Sequence, residues 1–232
     1  MTVNYEIKSQ LARLLATEDL VVENRNVATA QFNVETRVLT LPMWKRASEN
    51  VYDMLVGHEV GHALFTPNEW DWEDRIPRQF VNIVEDARIE KLMKRRYPGL
   101  SKSFYKGYSE LAEDDFFCLE GSDVSDMNLA DRANLYYKIG NFTDIPFTEE
   151  EMSLVKMMAE TETFSDALMV AEEIYRHCKD AQKRETPQGD LPPQKTDQDG
   201  VPQQESQQAG HQGTGDGEED NESVEPEDDE SY

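Results

Sequence analysis

His58-Glu59-Val60-Gly61-His62 constrains this chain more than any other stretch, because its spacing has chemical meaning only on a helix. At 3.6 residues per turn, histidines four apart leave the same face one turn above the other. Two neutral imidazoles so placed can occupy adjacent corners of a zinc tetrahedron, with nitrogen–metal bonds of ~2.0–2.1 Å. Glu59 leaves the helix about 100° round from His58, in reach of a metal-held water without being a ligand itself. The spacing therefore predicts Zn2+ as cofactor, His58 and His62 as ligands, and Glu59 as general base toward a water acidified by the metal. Ser48 suits the N-cap of this helix, Glu49 its first turn, and Thr66-Pro67 its end. The apolar stripe Val51, Leu55, His58, His62, Phe65 places both histidines on the packing face. Gly61 would let a second element cross close to the metal.

A catalytic zinc site needs three protein ligands and an open position. No histidine follows His62 at short range, and His177 and His211 lie far downstream. A carboxylate on a second helix is the expected third ligand, and Asn82–Glu90 is its best source. Glu85 borders the apolar stripe of Phe80, Val84 and Ala87, where a buried carboxylate needs a partner. It is the expected ligand, against the alternative of an ion pair with Arg88. Asp86 and Glu90, four apart, would repel each other on a bare face. One of them, taken as Asp86, is expected to bond the far nitrogen of a liganding histidine. For the oxyanion of a tetrahedral intermediate, Tyr136, Tyr137, Arg132 and His177 remain open.

Composition divides the 232 residues in two. Residues 185–232 hold 15 Asp/Glu and one Lys, and no Ile, Phe, Met or Trp. Such a segment cannot offset its conformational entropy by burial, so a disordered acidic tail is expected there. Residues 1–184 form the predicted folded domain, which is long enough for a sizeable core. The net charge of −25 disfavours nucleic-acid and anionic-membrane partners. The basic run Lys91, Lys94, Arg95, Arg96 is expected to complement the end of its own helix. Two distant cysteines, no recognisable leader and no long apolar run fit a cytoplasmic protein.

The predicted class is α+β and mainly helical. Residues 4–17 have helical spacing, Leu20–Val22 suggests a strand, and Thr29–Phe32 with Arg37–Leu41 suggests a hairpin in a small antiparallel sheet. Its edge could hold an extended peptide across the metal. Further helices are expected over Pro77–Arg96, Asn128–Ile139, Glu149–Glu160 and Ser165–Gln182. Trp70 and Trp72 lie in the loop after the motif helix, and Met152, Met157, Met158 and Met169 are expected to fill the core.

His58–Pro67 followed by Asn82–Glu90 resembles the phage and bacterial metallopeptidase-like proteins that carry a C-terminal von Willebrand factor A domain. It is also similar to the large cobalt-chelatase subunit. The resemblance runs from the Thr29–Leu41 hairpin through the Asn128–Gly140 helix. It implies a zincin-like metallopeptidase module, an acidic linker, and partnership with a ring-forming AAA+ ATPase and a von Willebrand factor A domain. The D-x-S-x-S metal motif of that domain is missing, since Asp123-Val124-Ser125-Asp126-Met127 does not satisfy it. The chain thus looks like the N-terminal module and linker of such proteins, as a fragment or as a separately encoded half. Two functions follow as expectations: a zinc peptidase acting on a protein or peptide substrate, or a non-catalytic peptidase-like adaptor.

Overall fold

The computed structural model describes residues 3–68 and 75–185. The two tryptophans of the 69–74 loop and the acidic tail beyond 185 lie outside those residues. The class is α+β and mostly helical, with seven α-helices and three strands among the described residues.

Helix α1 spans Tyr5–Ala16, with the Asn4 side chain accepting from the backbone amides of Glu6 and Ile7. Strands β1 (Val21–Arg25), β2 (Gln31–Asn33) and β3 (Val38–Pro42) follow. The expected hairpin is β2–β3, which pair antiparallel with Phe32 opposite Leu39. Its turn is fixed by the Asn33 carboxamide oxygen, which accepts from the amides of Glu35 and Thr36 at 3.0 and 2.8 Å. The sheet as a whole is mixed, with order β1-β3-β2, because β1 pairs parallel to β3 with Val21 opposite Val38. The all-antiparallel expectation is corrected on this point. After β1 the chain crosses to β2, the far edge, and β3 returns between them in the direction of β1.

Helix α2, Glu49–Phe65, carries the His-Glu-Val-Gly-His motif. The Ser48 hydroxyl accepts from the amides of Asn50 and Val51, capping the helix where the sequence placed its start. Its neighbours fix it from several sides. The Lys8 ammonium of α1 donates to Asp53 at 2.7 Å, and the Tyr52 hydroxyl donates to the Pro42 carbonyl at the end of β3. The Arg37 guanidinium donates to the Ala63 carbonyl at 2.8 Å, tying the hairpin to the motif end of the helix. Val51, Tyr52, Val56 and Val60 are wholly buried, so α2 is covered almost all round. The histidines are half-buried and face α3, on the same side of the helix as the buried Val51 and Leu55 of the stripe.

Helix α3, Arg78–Arg96, begins directly after Pro77, whose fixed φ suits a helix entry. Helices α4 (Leu100–Glu113), α5 (Leu129–Ile139), α6 (Glu149–Glu160) and α7 (Phe164–Glu185) follow among the described residues, with a 3₁₀ turn at Val124–Asp126. Two hydrophobic clusters result. One joins α1, the sheet, α2 and α4 around Leu39, Leu41, Val56, Val60 and Phe104. The other joins α3, α5, α6 and α7 around Val84, Ala133, Met158 and Ile174. Met93 of α3 belongs to the first cluster while Phe80, Val81 and Val84 belong to the second, so α3 lies between them. Met158 is buried and Met152 packs against the second cluster, but Met157 and Met169 are 43% and 59% exposed and fill no core.

The α2–α3 crossing is close because of Gly61. A β-carbon there would lie 2.7 Å from Ile89 Cδ1 and 3.1 Å from Met93 Cγ. Only a residue without a side chain lets α3 pass at this separation. The basic run at the end of α3 does more than complement its own helix. Lys91 donates to the carbonyls of Ala159 and Thr161, and Arg95 pairs with Glu162 through two bonds of 2.8 Å, tying α3 to the α6–α7 turn. Among the described residues no helix is long and apolar enough to cross a membrane.

Candidate metal centre

The i, i+4 spacing on α2 sets the two imidazoles edge to face, with ring centroids 5.1 Å apart and planes 72° to each other. The tautomer of each is set by its Nδ1 partner. His58 Nδ1 lies 3.0 Å from Glu90 Oε1, and only its N–H can satisfy that carboxylate. His62 Nδ1 lies 3.0 Å from the Thr66 hydroxyl, which itself donates to Glu85 Oε1 at 2.6 Å. With its proton given to Glu85, the Thr66 oxygen accepts from His62. Both Nε2 atoms are thereby left to face Asp86, the arrangement a metal-binding histidine needs once Nε2 gives up its proton to the metal.

What they meet is Asp86. Its Oδ1 lies 3.5 Å from His58 Nε2 and 3.3 Å from His62 Nε2. Bonds of ~2.0–2.1 Å at tetrahedral angles separate donor atoms by roughly 3.3–3.4 Å. The Asp86–histidine distances therefore match two edges of a zinc tetrahedron. Among the described residues, His58, His62 and Asp86 form the group whose donor atoms converge within 4.8 Å.

The structure exchanges the two carboxylates that the sequence reading distinguished. Glu85, expected as the third ligand, is buried and turned away. Arg88 donates to both of its oxygens, at 2.7 and 2.6 Å, and Thr66 takes the remaining acceptor capacity. Arg88 is held in turn by the carbonyls of Phe65 and Glu162. Glu85 thus acts on His62 through Thr66. Asp86, expected to orient a histidine, points at the histidines' free nitrogens instead. Orienting His58 falls to Glu90, whose carboxylate also accepts from Tyr108 and, at 3.0 Å, from Lys94. The reason is the geometry of α3. Its apolar stripe faces α5–α7, whereas Asp86, Ile89, Glu90 and Met93 form the strip that faces α2. The mutual repulsion of Asp86 and Glu90 was the signal for this, and both turn out to be engaged.

Two residues of the site were not anticipated. Lys138 on α5 donates to Asp86 Oδ2 at 3.0 Å, and Tyr108 on α4 supports Glu90. Both come from helices distant in sequence, and neither sits in a motif. The expected oxyanion donors point elsewhere. Arg132 is bound to Glu151 and to the carbonyls of Met127 and Pro146. Tyr137 donates to the Val155 carbonyl, Tyr136 packs on Tyr137 and Phe147, and His177 lies by Glu150 and Glu151.

The electrostatics follow from burial of many charges in one place. Burial alone would lower the pKa of His58, but the Asp86 charge and bonds to Asp86 and Glu90 outweigh it and raise it to about 10. Burial works against the Asp86 carboxylate too, yet Lys138 and His58 hold it well below the usual range. Glu90 falls to about 2 despite its burial, through His58 and Lys94. Glu59 goes the other way: burial pushes it up, with the histidines only partly opposing. At 7% exposure it makes no hydrogen bond or ion pair with any described residue. A buried carboxylate so placed is costly unless a cation or a bound water serves it.

The chain matches no protein-family model, no curated protein and no solved structure.

Proposed function

We propose that this chain is a zinc-dependent peptidase whose metal is held by His58, His62 and Asp86, with a zincin-like arrangement of the motif helix. The observation that carries the proposal is the convergence of both histidine Nε2 atoms on Asp86 Oδ1 at tetrahedral-edge distances. The donor set fits zinc: two nitrogens and one carboxylate oxygen are the usual three protein ligands of a catalytic site, leaving one position open. Manganese and iron also accept such ligands, but separations of 3.3 and 3.5 Å suit a tetrahedral ion better than the cis edge of about 3.0 Å in an octahedron with bonds of about 2.1 Å. A bound zinc ion would supply Lewis acidity toward water and the scissile carbonyl.

The remaining steps belong to the protein. Glu59 takes a proton from the water that adds to the peptide carbonyl, then delivers it to the departing amine as the C–N bond breaks. Its carboxyl, raised by burial and in electrostatic reach of both histidines, suits that exchange, because a carboxylate locked in an ion pair could not readily accept and release a proton. Glu90 and Thr66 keep the imidazoles in the required tautomer, and Glu85–Arg88 keeps Thr66 in place.

The adaptor reading asks for neither Glu59 nor an open position, since structural zinc sites usually close with four protein ligands. The resemblance to proteins that work with AAA+ ATPases and von Willebrand factor A domains supports a partner of that kind for either reading.

Glu59→Gln separates the two. The variant is expected to keep stoichiometric zinc while hydrolysis of a fluorogenic peptide library falls by about 10²–10⁴-fold. Undiminished hydrolysis in Glu59→Gln would rule out this mechanism.

A further inference from the structure

Among the described residues Lys138 is the one lysine or arginine paired with the three converging donors, and it arrives from α5, outside both motif helices. Its side chain is 19% exposed, and its ammonium donates to Asp86 Oδ2, the oxygen that does not face the histidines. We infer that Lys138 is a positioning residue that holds Asp86 as a one-oxygen ligand, keeping the fourth corner of the metal site open. The inference rests on the metal reading proposed above.

The chemistry of the contact supports this. A free carboxylate beside a small cation can offer one oxygen or both, and the choice changes the coordination number. With Oδ2 engaged at 3.0 Å by an ammonium, only Oδ1 remains directed at the His58 and His62 nitrogens. A lysine suits the task better than an arginine. Its ammonium is a point donor, whereas a guanidinium fork grips both oxygens of a carboxylate and would pull Oδ1 away.

Charge makes the placement informative. The buried Glu59 and Glu90 and the half-buried Asp86 put three carboxylates around two imidazoles, against the ammonium groups of Lys94 and Lys138. Lys94 answers Glu90, which leaves Lys138 as the partner of Asp86. Burying such a pair contributes little net stability compared with apolar packing of the same volume. Glue between α3 and α5 is therefore a poor account of it, given that the apolar cluster of Val84 and Ala133 already joins those helices.

The test is the visible spectrum of the cobalt(II)-loaded protein, in wild type, Lys138→Met and Lys138→Arg, each first checked for folding by circular dichroism. Four-coordinate cobalt absorbs much more strongly than five- or six-coordinate cobalt, so the spectrum reports coordination and is indifferent to a general loss of stability. Wild type is expected to show the intense four-coordinate bands. In Lys138→Met both Asp86 oxygens become available, and the bands should fall severalfold. Lys138→Arg keeps the charge and the fold while gripping both oxygens, so it too should lose the wild-type bands, with weaker cobalt retention. Spectra of both variants that superimpose on an intense wild-type spectrum would overturn the role of Lys138 and leave the metal site standing. Failure of the wild type to take up cobalt would overturn the metal reading, and this inference with it.

Discussion

Thr66 is the smallest group on which the site depends. Its hydroxyl gives its proton to Glu85 and accepts the Nδ1 proton of His62, and that pair of bonds decides which nitrogen His62 offers. Thr66→Val keeps the shape and removes both bonds. Zinc affinity should drop by roughly 10–100-fold, as it does when a ligand's supporting partner is lost. Competition with a chromophoric chelator would measure this, and an unchanged affinity would show that Thr66 does not orient His62. At this scale His58, Glu59 and His62 were legible because their relation is local, fixed by one helical turn. Asp86 was visible in another role: Glu85 and Asp86 are neighbours on one helix, and only the direction of each side chain brings Asp86 to the histidines. Lys138 and Tyr108 could not be read at all, since nothing in their own neighbourhoods points to α3.

Between elements, the decisive contact is α2 against α3 at Gly61. Gly61→Ala would gain about 1 kcal/mol of helix propensity but force Ile89 and Met93 aside, at a cost of about 1–3 kcal/mol. We expect a net loss near 1 kcal/mol in denaturant unfolding, together with weaker zinc binding as Asp86 moves away from the histidines. An intact affinity would mean that the helix spacing is not what sets the site. Helix α6 offers a second test. The Glu151 carboxyl is pushed up by burial, but Arg132 and the Thr148 capping box hold it below its ordinary 4.5. The unfolded chain therefore binds this proton more readily than the folded one. The stability from Glu151 is complete above pH 4.5 and is lost as pH falls through the lower folded value. Glu151→Gln should be less stable than wild type at neutral pH, with the two unfolding curves converging in acid. A constant gap across that range would contradict the linkage. Helix boundaries were largely legible: α6 covers the residues expected from the sequence, and Ser48 and Asn128 cap α2 and α5. The parallel pairing of β1 with β3 was not, because it joins strands separated by a third and has no turn to announce it.

For the molecule as a whole, the cluster of His58, His62 and Asp86 lies where two hydrophobic clusters meet. Each wholly buried residue along that seam, such as Met93 or Val84, contributes roughly 1.5–3 kcal/mol by leaving water. The helices that carry the donors are thus held from both sides. A periodicity argument treats a helix as having one inner face, and α3 has two, which is why its apolar stripe pointed to Glu85 while Asp86 is the carboxylate that faces the histidines. The α+β, mainly helical class needed no such detail and was legible from element patterns alone. The measurement that tests the account most directly is metal content after native purification with zinc supplied, for wild type beside Asp86→Asn and Glu85→Gln. The account predicts one zinc per chain in wild type, loss in Asp86→Asn, and retention with weakened affinity in Glu85→Gln. Zinc lost from Glu85→Gln and kept by Asp86→Asn, or absent from folded wild type, would contradict it.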